Sequence, residues 1–188
     1  MNLRQQARLL HCSNNVARHR RRRAHACLLL IAPILAAFST QSADTRDFLG
    51  LFEGWAAFRD AAPPRCYAVA MPVKKSRSAD EHPFLAVADW PASGATGQVH
   101  VRLRKPRKAD APVTLSIGKM HFRLVGAGRD AWASGPGADR AIVAAVRHGT
   151  SLSIETVDER GRPLIDVYRL AGAPSAIDAA ILACARPG

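Results

Sequence analysis

The sequence predicts an all-β domain in which short antiparallel strands form a sandwich or a barrel. The first observation is that apolar and polar residues alternate with period two through most of residues 53–170, which is typical of half-buried strands. The second is that turn-forming residues separate about eight such runs at intervals of about eight to twelve residues. The third is that one side of each run is polar, which favours an antiparallel sheet with one face in water.

Each predicted strand is an alternating or β-rich run bounded by glycine, proline or a polar turn. In the clearest example, residues 99–104, valine and leucine alternate with histidine and arginine. Residues 158–162 separate two β-rich runs in the manner of a hairpin loop. The remaining predicted strands are residues 54–58, 66–71, 84–90, 113–117, 120–125, 151–157 and 164–170.

Two segments break this rhythm and are predicted to be short helices. Asp139 is expected to cap a helix over residues 140–148. A second helix, at the C-terminus, is predicted to begin at Ser175, with Asp178 completing a pair that resembles a capping box. The apolar residues of this second helix recur at helical spacing, which turns Cys184 toward the core.

Residues 1–43 are predicted to be a signal peptide. Arginines 20–23 precede an apolar run, residues 27–38, that is too short to span a bilayer, because a helix crossing a hydrocarbon core of about 30 Å needs about 20 residues. Small residues follow at once, so cleavage is expected between about residues 40 and 44. The alternative is an uncleaved anchor. We expect residues 44–188 to form a single β-sandwich domain in the periplasm or outside the cell, in contact with the membrane only through the leader before cleavage.

The net charge of +12 is concentrated in the leader and does not indicate a nucleic-acid partner. Seven of the 27 lysines and arginines precede the first acidic residue, Asp44, which leaves 20 basic against 15 acidic side chains in the body. A basic stretch nevertheless stands out, with a weaker group at residues 74–77; the stretch consists of Arg102, Arg104, Lys105, Arg107 and Lys108. It would suit an anion such as a lipopolysaccharide phosphate or an acidic glycan, and the alternative is solvated charge that blunts a sheet edge. Because Val101 and Leu103 fix the opposite side-chain parity as the buried one, we expect Arg104, Lys105, Arg107 and Lys108 to be exposed together near one end of the sandwich.

Removal of the leader leaves two cysteines, Cys66 and Cys184. In an oxidising compartment they predict one disulfide, for which the chain-entropy model gives a stabilisation of about 4.7 kcal/mol as an upper figure. Metal ligation and nucleophilic catalysis are the alternatives. The sequence has no C-x-x-C motif, and the histidines of the mature chain lie at no zinc-ligand spacing. We therefore expect no metal and no cofactor.

No common catalytic signature is present: G-x-S-x-G, H-E-x-x-H, the P-loop and the EF-hand are all missing from the sequence. Residues 126–131 satisfy G-x-G-x-x-A, but no helix pattern follows, which predicts a loop. We therefore expect a protein that is not an enzyme. The alternative is a small hydrolase assembled from distant residues, with Ser116 or Ser153 as nucleophile, His121 as base and an aspartate behind it.

The three tryptophans, Trp55, Trp90 and Trp132, lie in or beside predicted strands. This position favours packing in the core, and the alternative is a binding platform.

Several short segments, spread over nearly all of the mature chain, carry a family resemblance. They are EGWAAF at 53–58, RCYAV at 65–69, PFLAVA at 83–88, VTLSIG at 113–118, DAW at 130–132 and AIDAAI at 176–181. In these segments the chain resembles the invasion-associated locus B family of exported bacterial proteins. The resemblance implies an immunoglobulin-like β-sandwich, secretion, and a role in host-cell invasion or envelope function, with no catalytic or binding residue to carry over. We accordingly expect an exported, non-enzymatic protein that binds another component of the envelope or of a host surface.

Overall fold

The computed structural model describes residues 46–74 and 81–185. The predicted leader and its cleavage site lie outside the described residues, as do Lys75 and Arg77 of the weaker basic group. Among the described residues no helix is long and apolar enough to cross a membrane.

The described residues form ten strands, two α-helices and one short 3-10 helix at Pro91–Ser93. The helices are α1 (Pro136–His148) and α2 (Ala173–Ala185). The strands, in chain order, are β1 (Arg46–Phe52), β2 (Trp55–Ala61), β3 (Pro64–Ala70), β4 (Phe84–Trp90), β5 (Ala95–Arg102), β6 (Val113–Ile117), β7 (Met120–Ala127), β8 (Asp130–Ala133), β9 (Ser151–Val157) and β10 (Pro163–Arg169).

All ten strands belong to one antiparallel sheet in the order β1-β2-β3-β4-β5-β8-β7-β6-β9-β10. The mostly β class, the antiparallel pairing and the C-terminal helix are therefore confirmed. The sheet is not divided into the two layers of an immunoglobulin-like sandwich, because a short pairing of β5 with β8 joins the first five strands to the last five. The strands β6, β7 and β8 form a meander at this junction. The sequence alone predicts only two strands and a loop for this segment.

The sheet curls so that its two ends approach each other without closing. The backbone N–H of Val73, just after β3, donates to the Val167 carbonyl of β10 at 2.8 Å. The indole Nε1 of Trp55 in β2 donates to the Arg169 carbonyl at 2.9 Å. These contacts place the inward faces of distant strands around one shared core.

The core lies on the inward face, where both helices also pack. Its largest side chains are fully buried and come from both halves of the sheet, from the residue after β5 and from α1: Trp55, Tyr168, Leu85, Leu103, Leu115, Ile142, Leu152 and Ile154. Helix α2 packs on β2 and β3, and α1 packs on β5. The outward face of the strands is thereby left without a covering layer among the described residues.

The predicted disulfide between Cys66 and Cys184 is present, with an S–S distance of 2.00 Å. Cys66 is buried on the inward face of β3, and Cys184 lies in the last turn of α2. The bond therefore ties an early strand to the C-terminal helix, as the helical phase of Cys184 predicts.

Both helices begin earlier than the sequence predicts, and neither predicted cap is used. Helix α1 begins at Pro136, a residue type favoured at the first helical position, so Asp139 lies inside the first turn. There Asp139 is buried and its Oδ1 accepts a hydrogen bond of 2.8 Å from the Val99 N–H of β5. Ser175 lies inside α2, and Asp178 accepts hydrogen bonds from Arg147 of α1. The side chains of Asp139 and Asp178, which the local sequence predicts as parts of helix caps, thus make tertiary contacts instead.

Candidate functional site

The outward face of β2 to β5 and β8 forms an open groove of about 520 Å³, which we call the aromatic groove. Its floor is made by Ala86 and Ala88 of β4. In the register of the sheet, Ala88 lies beside Tyr67 of β3, and Ala86 lies beside His100 of β5. Because alanine is short and most of the side chains around it are larger, the two alanines form a low floor, with Phe84 and Trp90 of the same strand standing at its two ends.

The first wall is a ladder of alternating arginines and aromatic rings. The guanidinium of Arg65 lies 4.9 Å from the ring centroid of Tyr67 and 5.3 Å from that of Trp90. The guanidinium of Arg46 lies 5.9 Å from the centroids of both Phe58 and Tyr67. Cation–π contacts of this kind stabilise by about 0.5–1 kcal/mol at exposed sites. The ladder therefore holds Tyr67 and Trp90 upright at the edge of the groove.

Asp60 anchors this ladder from beneath. Its carboxylate is only 3% exposed and accepts hydrogen bonds from Arg46 Nε at 2.8 Å and from Arg65 Nε at 2.8 Å. Burial is the largest single influence on the Asp60 pKa and raises it, but the hydrogen bonds and charges of the two arginines together outweigh burial and lower the pKa below its usual value. The carboxylate is therefore ionised at neutral pH and fully engaged by the two arginines.

The second wall is built around His100. Its ring stacks on Trp132 of β8, with centroids 4.8 Å apart and an interplanar angle of 5°, and it meets Phe84 edge-on at 5.1 Å. The Nε2 atom lies 2.9 Å from Asp130 Oδ1, and Arg102 Nη1 lies 3.5 Å from the same oxygen. Arg102 of the basic stretch thus stands at the border of the groove, beside an acid that is already paired.

Gln98 connects the two walls. The indole Nε1 of Trp90 donates to Gln98 Oε1 at 3.0 Å. Because an indole N–H can only donate, the atom that it meets must be the amide oxygen, and the amide nitrogen of Gln98 remains as a donor. The contact orients Trp90 and Gln98 at once.

The basic stretch does not form one exposed patch, and the expectation that Arg104 is exposed is wrong. Strand β5 ends at Arg102, so the alternation no longer governs Arg104, whose side chain reaches across to β10. There its Nε donates to Asp166 Oδ1 at 2.7 Å, with only 13% of the Arg104 side chain and 1% of Asp166 exposed. Its Nη2 also donates to the Lys74 carbonyl at 3.1 Å, which brings the two basic groups of the sequence together.

The other members of the stretch differ in exposure. Arg107 donates to the carbonyls of Ala111 and Gly126 and so braces a loop. Lys105 lies 3.8 Å from Glu81, and Lys108 is exposed. Of the residues that the sequence suggests as an anion site, only a few therefore have side chains that reach solvent.

Lys105 borders a shallow basic corner of about 260 Å³, formed with the hairpin between β9 and β10. In this corner Arg162 Nη2 lies 2.7 Å from Asp158, and the hydrogen bond from Arg162 is the largest of the influences that lower the Asp158 pKa. Asp158 thus neutralises Arg162, one of the cations that line the corner.

The serine and histidine considered for a hydrolase do meet. Ser116 of β6 and His121 of β7 are register partners, and Ser116 Oγ lies 2.9 Å from His121 Nδ1. Ser153 of β9 instead donates to Glu155 at 2.8 Å. Within residues 46–74 and 81–185 no hydrogen bond joins the His121 ring to a carboxylate, so the pair lacks the acid that orients the base in a triad. No group of three or more metal-ligating side chains occurs in the same ranges.

The aromatic groove is the feature that sequence reasoning missed. Packing in the core is confirmed for Trp55, which is fully buried, whereas Trp90 and Trp132 are half-buried and line the groove. The signal that points to them is a pair of alanines, Ala86 and Ala88, at outward positions of a strand that has Phe84 and Trp90 at its ends.

Comparison with known proteins agrees with this architecture. No known family profile matches the sequence, and no curated protein matches it. The structure is similar to the crystal structure of invasion associated protein b from Bartonella henselae, with a TM-score of 0.53, 20% sequence identity, and coverage of 73% of this chain and 98% of that chain. The resemblance on which the sequence prediction relied is thereby confirmed at the level of structure: the chain has the fold of invasion associated protein b.

Proposed function

We propose that this protein is exported to the periplasm or the cell surface and acts there as a non-enzymatic binding protein of the invasion-associated locus B type, with the aromatic groove as its binding surface. One observation carries the proposal: two of the three tryptophans, Trp90 and Trp132, stand in a single open groove on the outward face of the sheet. A cluster of large rings left in contact with water is a common mark of an interaction surface.

The rigidity of the groove supports a binding role. Its side chains project from strands inside the sheet, and the rings are held by the Arg65 stack, the Trp90–Gln98 hydrogen bond and the His100–Trp132 stack. Binding to such a surface costs little conformational entropy, because the side chains already occupy their bound positions.

Export is supported by two features that are independent of the groove. The first 43 residues have the charge and hydropathy pattern of a signal peptide. The bond between Cys66 and Cys184 suits an oxidising compartment, since cytosolic thiols are kept reduced. The similarity to a protein described as invasion associated further supports a partner in the envelope or on a host surface.

The test is sedimentation of the purified mature protein with isolated cell envelopes. Ala88→Leu raises the floor of the groove and is expected to lower the sedimented fraction severalfold, because Ala88 lies between the Tyr67 and Gln98 side chains. Thr114→Leu is the matched control, since it adds an apolar side chain to the outward positions of β6, outside the groove. Equal sedimentation of all three proteins, each with a native melting temperature, would contradict the groove as the binding surface.

A hydrolase is the second candidate, favoured by the single contact between Ser116 and His121. Hydrolysis of a p-nitrophenyl ester by the mature protein, abolished by Ser116→Ala and unaffected by Ala88→Leu, would support the hydrolase over the binding protein.

A further inference from the structure

We infer that the aromatic groove binds a carboxylated polysaccharide, that is, a chain of sugar rings in which carboxylates recur. This inference rests on the proposed binding function of the groove and specifies the chemistry of the ligand.

The shape and apolar surface of the groove fit a chain of sugar rings. A pyranose ring has flat faces made of C–H groups, and these faces pack on aromatic rings while the hydroxyls at the ring edge remain in water. Tyr67 stands on the β3 side of the alanine floor and Trp132 on the β5 side, while Phe84 and Trp90 stand at the two ends of the floor on β4 itself. Because the groove is open to solvent above this floor, a sugar chain can lie across it with its rings packed on these side chains.

Two polar groups of the groove, those of Arg65 and Gln98, are available as donors. Arg65 uses its Nε and Nη2 on Asp60, and within the described residues no partner is found for its Nη1. The amide oxygen of Gln98 is taken by Trp90, so its nitrogen remains to donate. Both groups therefore offer N–H bonds to an incoming acceptor.

The two carboxylates that lie beside the groove are already paired. Asp60 is occupied by two arginines, and Asp130 is occupied by His100 and Arg102. The guanidinium of Arg65 places a positive charge at the edge of the groove. A ligand carboxylate complements both the charge and the surplus of donors.

An extended peptide fits this surface less well. The groove lies on the face of strands whose backbone groups pair with neighbouring strands, so a peptide cannot join the sheet there. The acceptors of a peptide backbone are uncharged carbonyls, each accompanied by an N–H donor. A carboxylated sugar chain instead supplies charged acceptors, and its hydroxyls can both donate and accept.

The test is a fluorescence titration of the mature, disulfide-bonded protein with hyaluronan oligosaccharides, in which glucuronate alternates with N-acetylglucosamine. Because two of the three tryptophans line the groove, binding is expected to give a saturable change in tryptophan emission. Neutral chito-oligosaccharides of matched length are expected to bind at least about tenfold more weakly, since they lack the charged partner for Arg65.

Gln98→Glu is the decisive variant. It keeps an oxygen to accept the Trp90 N–H but replaces the donor amide with a carboxylate. We expect hyaluronan affinity to fall by about tenfold or more through like-charge repulsion, and chito-oligosaccharide affinity to stay unchanged. Thr96→Glu is the matched control, because it adds the same charge to an exposed position of β5 outside the groove and should leave both affinities unchanged.

Three results would overturn the inference: no hyaluronan binding by the wild-type protein, equal affinity for the neutral oligosaccharide, or equal hyaluronan affinity in Gln98→Glu. Heparin binding that depends on Lys105 and Lys74 and not on Gln98 would assign the anion to the basic corner instead. If envelope sedimentation still depends on Ala88 while hyaluronan does not bind, the ligand class is wrong and the binding function stands. If Ala88→Leu changes neither measurement, the groove has no binding role.

Discussion

Arg104→Met is expected to destabilise the domain by about 3–5 kcal/mol, because it leaves a buried carboxylate without its cation. Asp166 is 1% exposed, and Arg104 donates to its Oδ1 from both Nε and Nη2. The other carboxylate oxygen and the neighbouring Tyr168 hydroxyl are buried with no hydrogen-bond partner among the described side chains. No other group is therefore in place to compensate the charge once the guanidinium is removed.

The expected loss is large against the about 5–15 kcal/mol that stabilise a typical domain. Methionine preserves much of the aliphatic stem of Arg104, so the change reports on the charge more than on packing. The double variant Arg104→Met/Asp166→Leu should be more stable than Arg104→Met alone, since an apolar pair can replace a buried ion pair at little cost.

The assay is urea unfolding followed by tryptophan fluorescence, with Arg102→Met as the matched control. Arg102 belongs to the same basic stretch, but its side chain is 41% exposed and lies 3.5 Å from Asp130, so its removal should cost less than about 1 kcal/mol. Equal effects of the two substitutions, or a double variant as unstable as the sum of its parts, would refute the reasoning.

Three further predictions concern the disulfide, acid stability and processing. Cys66→Ser or Cys184→Ser should each lower the free energy of unfolding by about 2–5 kcal/mol, and the double variant should be little worse; peptide mapping without reductant that finds free thiols would contradict this. Asp60 and Asp158 have folded-state pKa values below their usual range, so their stabilisation is present above the unfolded pKa of about 3.9 and is lost as the pH falls through it toward the folded values. Urea midpoints should therefore agree at pH 7 and 5 and drop at pH 3, and a rise at pH 3 would contradict the assignment. Mass spectrometry of the periplasmic protein should find an N-terminus between about residues 40 and 44, and retention of the apolar run would show an anchor instead.

The strands that the sequence predicts best are those whose alternation is uninterrupted. The sequence predicts the bounds of three strands correctly, namely β4, β6 and β9. In these strands every second residue is apolar, or residues that break a strand stand at both ends of the run. β1 was not predicted, since its register shifts between Phe48 and Gly50 and the resulting bulge disrupts the period. β8 has only four residues, Asp130–Ala133, too few for a periodicity to emerge.

The groove was beyond the reach of the sequence because it depends on register between strands that are distant along the chain. Trp132 becomes a neighbour of His100 only through the pairing of β5 with β8, which no local pattern encodes. Ala86 and Ala88 look like core residues in a one-dimensional pattern, and they become a channel floor only once their cross-strand neighbours are known. Arg104 is an error of a different kind. The alternation over residues 99–104 predicts a strand that reaches Arg104, whereas β5 ends at Arg102.

The bond between Cys66 and Cys184 also determines how the molecule would respond to mechanical force. Because these cysteines are separated by 118 positions, a pull applied through the two chain ends passes along the bond and bypasses everything between them. Such a pull can peel away β1 and β2, which precede Cys66, but β4 to β10 lie inside the bypassed loop and bear little tension. The strands of the second groove wall, β5 and β8, would therefore keep their pairing while the N-terminal strands yield. In a single-molecule experiment, adding a reductant should release a much longer chain extension at the moment the bond opens.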